Sequence, residues 1–130
     1  MSKIRRKGAA IVDMPKGILV VAGRSKKFIL PGGGASRWES RKRAAIRELY
    51  EETGLKTKSI RYLFSYVGHK FHSPSGKPFR NHAKVFLIKS YGKASPRHEI
   101  KHIAFWKPNS KIHITQGTMI VIEKYLKEYK

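Results

Sequence analysis

The chain has 130 residues, the length of one typical domain, and a formal net charge of +21 at pH 7 from 29 Lys and Arg against 8 Asp and Glu. It contains no cysteine, which excludes a disulfide scaffold, a thiolate metal site and a cysteine nucleophile. No apolar run approaches the roughly 18 residues of a membrane span or forms the core of a signal peptide. We therefore expect one cytoplasmic domain over residues 1–130, with no membrane contact and an anionic partner.

The first third of the chain predicts short strands. β-branched and apolar runs predict strands over residues 4–13 and 17–22, and residues 28–30 predict a third strand. Pro31 and the three glycines that follow it predict a loop over residues 31–34.

From Ser40 onward the pattern becomes helical. Ser40 is placed as an N-cap, good helix formers continue through Glu52, and Gly54 stands where a left-handed C-cap residue is expected. The remaining elements are strands over 59–68, 82–91 and 99–106, loops over 72–78 and 92–96, and a closing helix over 116–130. This order indicates an α/β layered domain.

The acidic residues are concentrated in one segment. Four of the eight lie between positions 33 and 55, namely Glu39, Glu48, Glu51 and Glu52. A helix places the last three on one face, where each like-charged pair costs about 0.2–0.5 kcal/mol unless a cation lies between them. Mg²⁺ binds carboxylate oxygens readily, so this face is predicted to hold a metal ion. The alternative is a solvated acidic patch neutralised by the abundant Lys and Arg.

The residues around these acids favour the metal site. The segment 33–55 reads GGASRWESRKRAAIRELYEETGL and fits the pattern G-x5-E-x7-R-E-U-x-E-E-x-G-U, in which U is a large aliphatic residue. Nine constrained positions at fixed spacing make a chance match very improbable. This segment resembles the Nudix box, and the chain resembles the MutT-like Nudix hydrolases. The resemblance implies an αβα sandwich with a mixed β-sheet between helices.

The resemblance also implies an activity and the residues that perform it. It implies a Mg²⁺- or Mn²⁺-dependent hydrolase that cleaves pyrophosphate bonds in nucleoside diphosphate-linked substrates, such as nucleoside triphosphates or dinucleoside polyphosphates. Glu48 and Glu52 would be the principal metal ligands, Glu51 a further or water-mediated ligand, and the Gly32 carbonyl a backbone ligand.

Other positions of the Nudix box receive supporting roles by the same resemblance. Arg47 would orient the glutamates, and Glu39 would help to fix the loop at Gly33 to the helix. The general base varies within the family, so Glu48 or Glu99 is expected to deprotonate the water. We expect Glu99 to open the strand 99–106 as a fourth acid near the metals. The alternative for this residue is a surface ion pair with Lys101 or His98.

The substrate contacts are less clearly indicated. Many family members carry an acidic residue and a glycine just before the Glu39 position, where this chain has Ser36-Arg37-Trp38. Arg37 and Trp38 are therefore candidates to contact a phosphate or a base, and the alternative is that Trp38 packs against the loop. The segment 69–80 combines basic residues with aromatic ones, a mixture expected over a nucleotide. Its candidate residues are Phe71, Phe79 and Arg80.

Three functions are compatible with these features. The first is hydrolysis of small nucleotides, and the second is the same chemistry at RNA 5′ ends, which the high positive charge favours. The third is a non-catalytic module that binds nucleotide or RNA, against which the intact glutamate set argues. The six histidines are not spaced as zinc ligands. The sequence leaves open whether the protein is a monomer or a homodimer.

Overall fold

A mixed four-stranded sheet supports the site. The structure is a computed structural model that describes residues 3–130. The sheet has the order β4-β1-β6-β5, with β1 and β6 parallel and the two outer pairs antiparallel. Its strands are β1 (Lys3–Ile11), β4 (Gly32–Gly34), β5 (Lys56–His72) and β6 (Pro78–Tyr91).

A smaller antiparallel sheet completes the β layer. It has the order β2-β3-β7, formed by β2 (Asp13–Met14), β3 (Gly17–Ala22) and β7 (His102–Trp106). Every residue of β3 is buried. An uninterrupted apolar strand of this kind is expected where both faces of a sheet are covered.

Two helices cover this β layer. Helix α1 (Arg41–Thr53) begins after Ser40, whose side chain accepts a hydrogen bond from the Arg43 N–H at 3.1 Å, and it ends at Gly54, which has a φ of 79°. Helix α2 (Gln116–Glu128) buries Val121, Ile122 and Tyr125.

Each helix has its own apolar core. The core beside α1 contains Ala45 and Leu49 of the helix together with Ala10 of β1. The core beside α2 contains Ile122 and the next residue of β1, Ile11. Because consecutive strand residues face opposite sides, β1 contributes to both cores and lies between the helices. The αβα arrangement and the mixed sheet are as predicted.

Several predicted boundaries were wrong. Phe28 and Ile29 form isolated bridges rather than part of a strand over 28–30, and the predicted glycine loop instead contains β4. Glycine permits this pairing because a Cβ at Gly32 would collide with the backbone of Gly8 and Ala9. The predicted strand 4–13 divides after Ile11 into β1 and β2.

The second half of the chain contains two further corrections. Strands β5 and β6 extend well beyond their predicted ends, so the loop between them is only residues 73–77. The register between them shifts at three points, between Thr57 and Ser59, between Tyr62 and Phe64 and between Val67 and Lys70. The last strand begins at His102, so Glu99 lies in the preceding turn and does not open the strand as predicted.

No helix within residues 3–130 is long and apolar enough to cross a membrane.

Candidate active site

One guanidinium group organises the acidic side chains. Nε of Arg47 donates to Glu39 Oε2 at 2.8 Å, and Nη1 donates to Glu48 Oε1 at 2.6 Å and to Glu51 Oε1 at 2.8 Å. Nη2 donates to Glu39 Oε1 at 2.9 Å and to the Gly34 carbonyl at 3.1 Å. Arg47 therefore ties helix α1 to strand β4 and to the loop between them.

Glu39, which Arg47 engages, also holds the loop before α1. The Glu39 carboxylate also accepts the Ser36 N–H at 3.0 Å, and Arg6 donates to the Glu39 carbonyl at 2.9 Å. The hydrogen bonds from Arg47, followed by that from Ser36, lower the pKa of Glu39 to about 2. Glu39 is thus ionised throughout the neutral range and keeps the loop attached to the helix.

Glu52 differs from the other carboxylates because it is buried. Its residue is 5% exposed, and Oε1 accepts a hydrogen bond from the Gly32 N–H at 3.0 Å. Burial raises the pKa of Glu52 to about 7, with smaller contributions from the charges of Glu48 and Glu99. The Gly32 hydrogen bond and the charge of Lys7 act in the opposite direction. A cation beside Glu52 would relieve the cost of its buried charge.

Glu48 approaches strand β4 at a glycine. A Cβ added to Gly33 would collide with the Glu48 carboxylate. A side chain at this position would therefore force the Glu48 carboxylate to move, and Gly33 has no positive φ that would itself require glycine. The Glu48 carboxylate consequently lies against the backbone of β4. Glu52 contacts the same strand, because its carboxylate accepts the Gly32 N–H.

The carboxylates of the Nudix box are suitable ligands for a divalent cation, but they are not arranged around a common point. Arg47 engages Glu48 and Glu51, and Glu52 is bonded to Gly32. Within residues 3–130, no three acidic or histidine side chains converge as a ready-made metal cage. The buried charge of Glu52 and the carboxylate oxygens around it are nevertheless the donors that Mg²⁺ and Mn²⁺ prefer.

The loop that carries Glu99 is attached to the end of α1. The Arg97 N–H donates to the Glu52 carbonyl at 3.1 Å, and the Ser95 N–H donates to the Thr53 carbonyl at 2.9 Å. Glu99 is close enough for its charge to raise the pKa of Glu52. The alternative ion pair of Glu99 with Lys101 or His98 is not formed among the described residues 3–130. Lys101 Nζ instead donates to the His98 carbonyl at 3.1 Å.

A cleft of about 440 Å³ opens beside β4, and we call it the main cleft. Lys7, Gly32 and Gly33 line it on the side of the Nudix box. Burial, followed by the charge of Arg5, lowers the pKa of Lys7 against the opposing effect of Glu52 and Glu48. The opposite walls come from the β5–β6 hairpin and the start of α2, including Tyr66, His69, Phe71, Asn81, Thr115 and Thr118.

Sequence reasoning missed most of these lining residues. Lys7, Tyr66 and Asn81 were not among the predicted site residues. Alternate residues of a strand share a face, so the positions of these residues along β1, β5 and β6 are the signal that could have identified them as neighbours. That inference requires the register between the strands, which the sequence does not provide.

The predicted substrate residues do not all come together. Phe71 and Phe79 stack with ring centroids 5.6 Å apart, and Phe71 lines the main cleft. Arg80 follows Phe79 on the same strand and so points to the opposite face of the sheet, which separates it from the two rings. Trp38 is 90% exposed with the Arg37 guanidinium 5.2 Å from its ring, so the alternative in which Trp38 packs against the loop was wrong.

The comparisons with known proteins identify the family. A model of the NUDIX domain matches residues 4–120 of the chain. The chain belongs to the Nudix hydrolase family. Both the resemblance read from the Nudix box and the expectation of a hydrolase are therefore confirmed.

Solved structures agree with this assignment. A nudix hydrolase family member from Chromobacterium violaceum is 35% identical, with a TM-score of 0.81 over 98% of this chain and 79% of that chain. The MutT NUDIX hydrolase from Burkholderia pseudomallei is 22% identical, with a TM-score of 0.76 over 94% of this chain and 98% of that chain.

A third structure is that of a larger protein. A bifunctional NMN adenylyltransferase/ADP ribose pyrophosphatase from Francisella tularensis, complexed with AMP and a Mn ion, is 19% identical. Its TM-score is 0.68 over 98% of this chain and 42% of that chain. This match and the one from Burkholderia concern the fold alone. No curated protein matches the sequence. Nudix hydrolases generally use a divalent metal ion.

Proposed function

We propose that this Nudix hydrolase uses Mg²⁺ or Mn²⁺ to cleave pyrophosphate bonds in nucleoside diphosphate-linked substrates, namely nucleoside triphosphates or dinucleoside polyphosphates. The observation that carries the proposal is the buried Glu52 carboxylate, which accepts a hydrogen bond from Gly32, a residue that lines the main cleft. The names of two similar structures, a MutT hydrolase and an ADP ribose pyrophosphatase complexed with AMP and Mn, support the same class of substrate.

The metal would be held by the carboxylates of Glu48, Glu51 and Glu52 and by the Gly32 carbonyl. A bound divalent ion neutralises phosphate charge and lowers the pKa of a water ligand. Glu52 would supply its buried charge directly, and Glu48 would offer Oε2, the oxygen that Arg47 does not engage. Glu51 would be a further or water-mediated ligand. Gly33 leaves the space that the Glu48 carboxylate occupies.

The remaining residues would orient the site and move the proton. Arg47 would position the glutamates, and Glu39 would hold the loop against α1. Glu48 or Glu99 would take the proton from the attacking water, and the loop contact to the Glu52 carbonyl supports Glu99 as the fourth acid. Glu99→Gln at saturating Mg²⁺ distinguishes the two bases, because loss of the base removes the rise of kcat with pH and a retained rise points to Glu48.

The main cleft would hold the nucleotide. Lys7 lies at its junction with the Nudix box and would meet the phosphates, and Phe71 would contact the base. Arg37 and Trp38 are proposed as a separate exposed contact, because they do not line the main cleft. Arg80 would contact substrate only from the other face of the sheet.

Three wider expectations stay proposals. Residues 1–130 would unfold as one domain in a single transition, which calorimetry tests. Cell fractionation tests the cytoplasmic location, and light scattering decides between monomer and homodimer.

A panel of substrates tests the proposed function. Release of phosphate and pyrophosphate would be followed with nucleoside triphosphates, dinucleoside polyphosphates, ADP-ribose and 5′-triphosphorylated RNA, each with Mg²⁺, Mn²⁺ or EDTA. We expect metal-dependent release from a small nucleotide. Preferential release from RNA would favour the second candidate, hydrolysis at RNA 5′ ends. The observation that favours this candidate is the row of Lys3, Arg5 and Lys7 along β1. No release from any substrate would contradict both.

A further inference from the structure

Three basic side chains form a row on one face of β1. Lys3, Arg5 and Lys7 occupy alternate positions, so they face the same side of the sheet at intervals of about 7 Å. The row begins at the main cleft with Lys7 and continues away from it to Lys3, about 13 Å further along the strand. None of the three forms an ion pair with an acidic side chain in the part of the chain that the structure describes.

Aromatic and amide side chains lie beside this row. In the register of β1 and β6, Lys3 is opposite Phe79 and Arg5 is opposite Asn81. Phe79 is in turn opposite Phe71 on β5, and the two rings are stacked. Paired residues share a face of the sheet, so basic side chains and flat rings lie next to one another.

A second cleft, of about 560 Å³, lies at the far end of the row, and we call it the hairpin cleft. Lys3, Arg5 and Phe79 line it together with Lys77 and the hydroxyl-bearing Ser73 and Ser75 from the turn between β5 and β6. Arg5 lies between Lys3 and Lys7 on the same face of β1, with Arg5 lining the hairpin cleft and Lys7 lining the main cleft. The positive surface is therefore continuous from the Nudix box to the turn of the hairpin.

We propose that this surface, the basic track of Lys3, Arg5, Lys7, Lys77, Phe71 and Phe79, binds a single-stranded nucleic acid that extends from the carboxylate site towards the hairpin. The proposal rests on the proposed function in one respect only, since it places the 5′ end of the strand at the Nudix box. A row of cations beside the exposed Phe71 ring and the half-buried Phe79 ring suits a flexible polynucleotide, whose phosphates meet the cations while its bases stack on the rings.

The length of the basic track argues against a small nucleotide as its only ligand. The main cleft already offers Lys7 and Phe71 to one nucleotide, whereas Lys3 and Lys77 lie in the separate hairpin cleft. A ligand that uses both must carry further phosphates along β1. The chain's net charge of +21 adds long-range attraction for such a polyanion.

Binding measured in EDTA tests the basic track without turnover. Fluorescence anisotropy would follow 3′-labelled single-stranded RNA of 2, 4, 8 and 12 nucleotides with a 5′-monophosphate. We expect affinity to increase at least tenfold between 2 and 8 nucleotides and then to level off once the track is filled. Equal affinity for 2 and 12 nucleotides would overturn the proposal, even if the protein hydrolyses nucleotides. Length-dependent binding by a protein without hydrolase activity would defeat only the proposed function.

Charge-matched variants separate the basic track from general attraction. The triple variant Lys3→Gln/Arg5→Gln/Lys77→Gln should lose at least tenfold in affinity for the 12-mer. Its dependence of log K on log salt should flatten by about 2, from three lost contacts at about 0.7 each. The control Lys58→Gln/Lys111→Gln/Lys127→Gln removes the same charge from exposed positions elsewhere and should change affinity less than about threefold. Equal losses in the two variants would overturn the track.

Stacking is tested by an uncharged substitution. Phe79→Leu should lower affinity about fivefold or more without altering the salt dependence, whereas Tyr91→Leu, at an exposed aromatic residue far along β6, should not. Similar binding of single-stranded DNA supports the proposal, which requires no 2′-hydroxyl. Stronger binding of duplex RNA, or equal competition by an acidic peptide, would overturn it.

Discussion

Arg47 forms hydrogen bonds that a lysine does not reproduce. Its planar guanidinium contacts three carboxylates and the Gly34 carbonyl at once, and an ammonium group lacks the fixed fork of donors that this needs. We expect Arg47→Lys to lower the free energy of unfolding by about 1–3 kcal/mol and kcat by about 10- to 100-fold. Denaturant titration and steady-state kinetics measure both quantities. Arg43→Lys, at an exposed position of the same helix, is the control, and equal behaviour of the two variants would contradict this role.

Glu52 should make metal-free stability depend on pH. The pKa of Glu52 is about 7 in the folded chain, against 4.5 for an unperturbed glutamate, so ionisation favours the unfolded state. Stability from this residue is fully present below about pH 4.5, decreases as pH rises towards 7 and is constant above it. The total loss is about 3 kcal/mol.

The matching variant isolates this effect. Glu52→Gln retains an oxygen that accepts the Gly32 N–H but cannot ionise. In EDTA, the difference in unfolding free energy between the wild type and Glu52→Gln should therefore change by about 3 kcal/mol between pH 4.5 and 8. Parallel pH curves for the two proteins would show that the Glu52 pKa is not raised.

Among the elements, strand β4 depends most closely on glycine. Gly33 faces the Glu48 carboxylate, whereas the nearest atoms to a Cβ at Gly34 belong to the flexible Arg5 side chain at 3.4 Å or more. Gly33→Ala should displace Glu48 and lower kcat at least tenfold, and Gly34→Ala should retain activity within about threefold. Steady-state kinetics with each folded variant tests this difference. Equal activity of the two variants would show that Glu48 does not need the space at Gly33.

Helix α1 could be predicted from the sequence because its signals are local. Ser40 and Gly54 bound it, and the spacing of its glutamates fixes which side chains share a face. Strand β4 could not be predicted in this way. Three successive glycines are typical of a loop, and only the close approach of β1 makes them a strand.

The candidate site was also predictable only in part. The carboxylates and Arg47 lie in one contiguous segment, so their pattern identified them before the structure did. The main cleft brings β1, β5, β6 and α2 together, and its lining residues are distant in sequence. Arg80 illustrates the limit: it adjoins Phe79 in sequence but lies on the opposite face of the sheet.

At the scale of the whole molecule, the charge of +21 should weaken the fold through self-repulsion. The four ion pairs within residues 3–130 involve only Arg47 and Lys130 on the basic side, so most basic side chains are neutralised only by solvent ions. We expect the melting temperature in EDTA to rise with NaCl from about 0.05 to 0.5 M, as screening strengthens.

A reduced-charge protein is the control for this salt effect. The Lys58→Gln/Lys111→Gln/Lys127→Gln variant should melt higher at low salt and respond less steeply to NaCl. A melting temperature independent of salt in the wild type would contradict destabilisation by charge.

The central proposal is that the carboxylates of the Nudix box act in metal-dependent hydrolysis. The most direct test of this role is initial-rate product release from the preferred nucleotide over a range of Mg²⁺ concentrations, for wild type, Glu52→Gln and the exposed control Glu123→Gln. We predict saturable Mg²⁺ dependence for wild type and Glu123→Gln, and a rate at least about a hundredfold lower for a folded Glu52→Gln. Wild-type turnover by Glu52→Gln, or turnover unaffected by EDTA, would contradict this role.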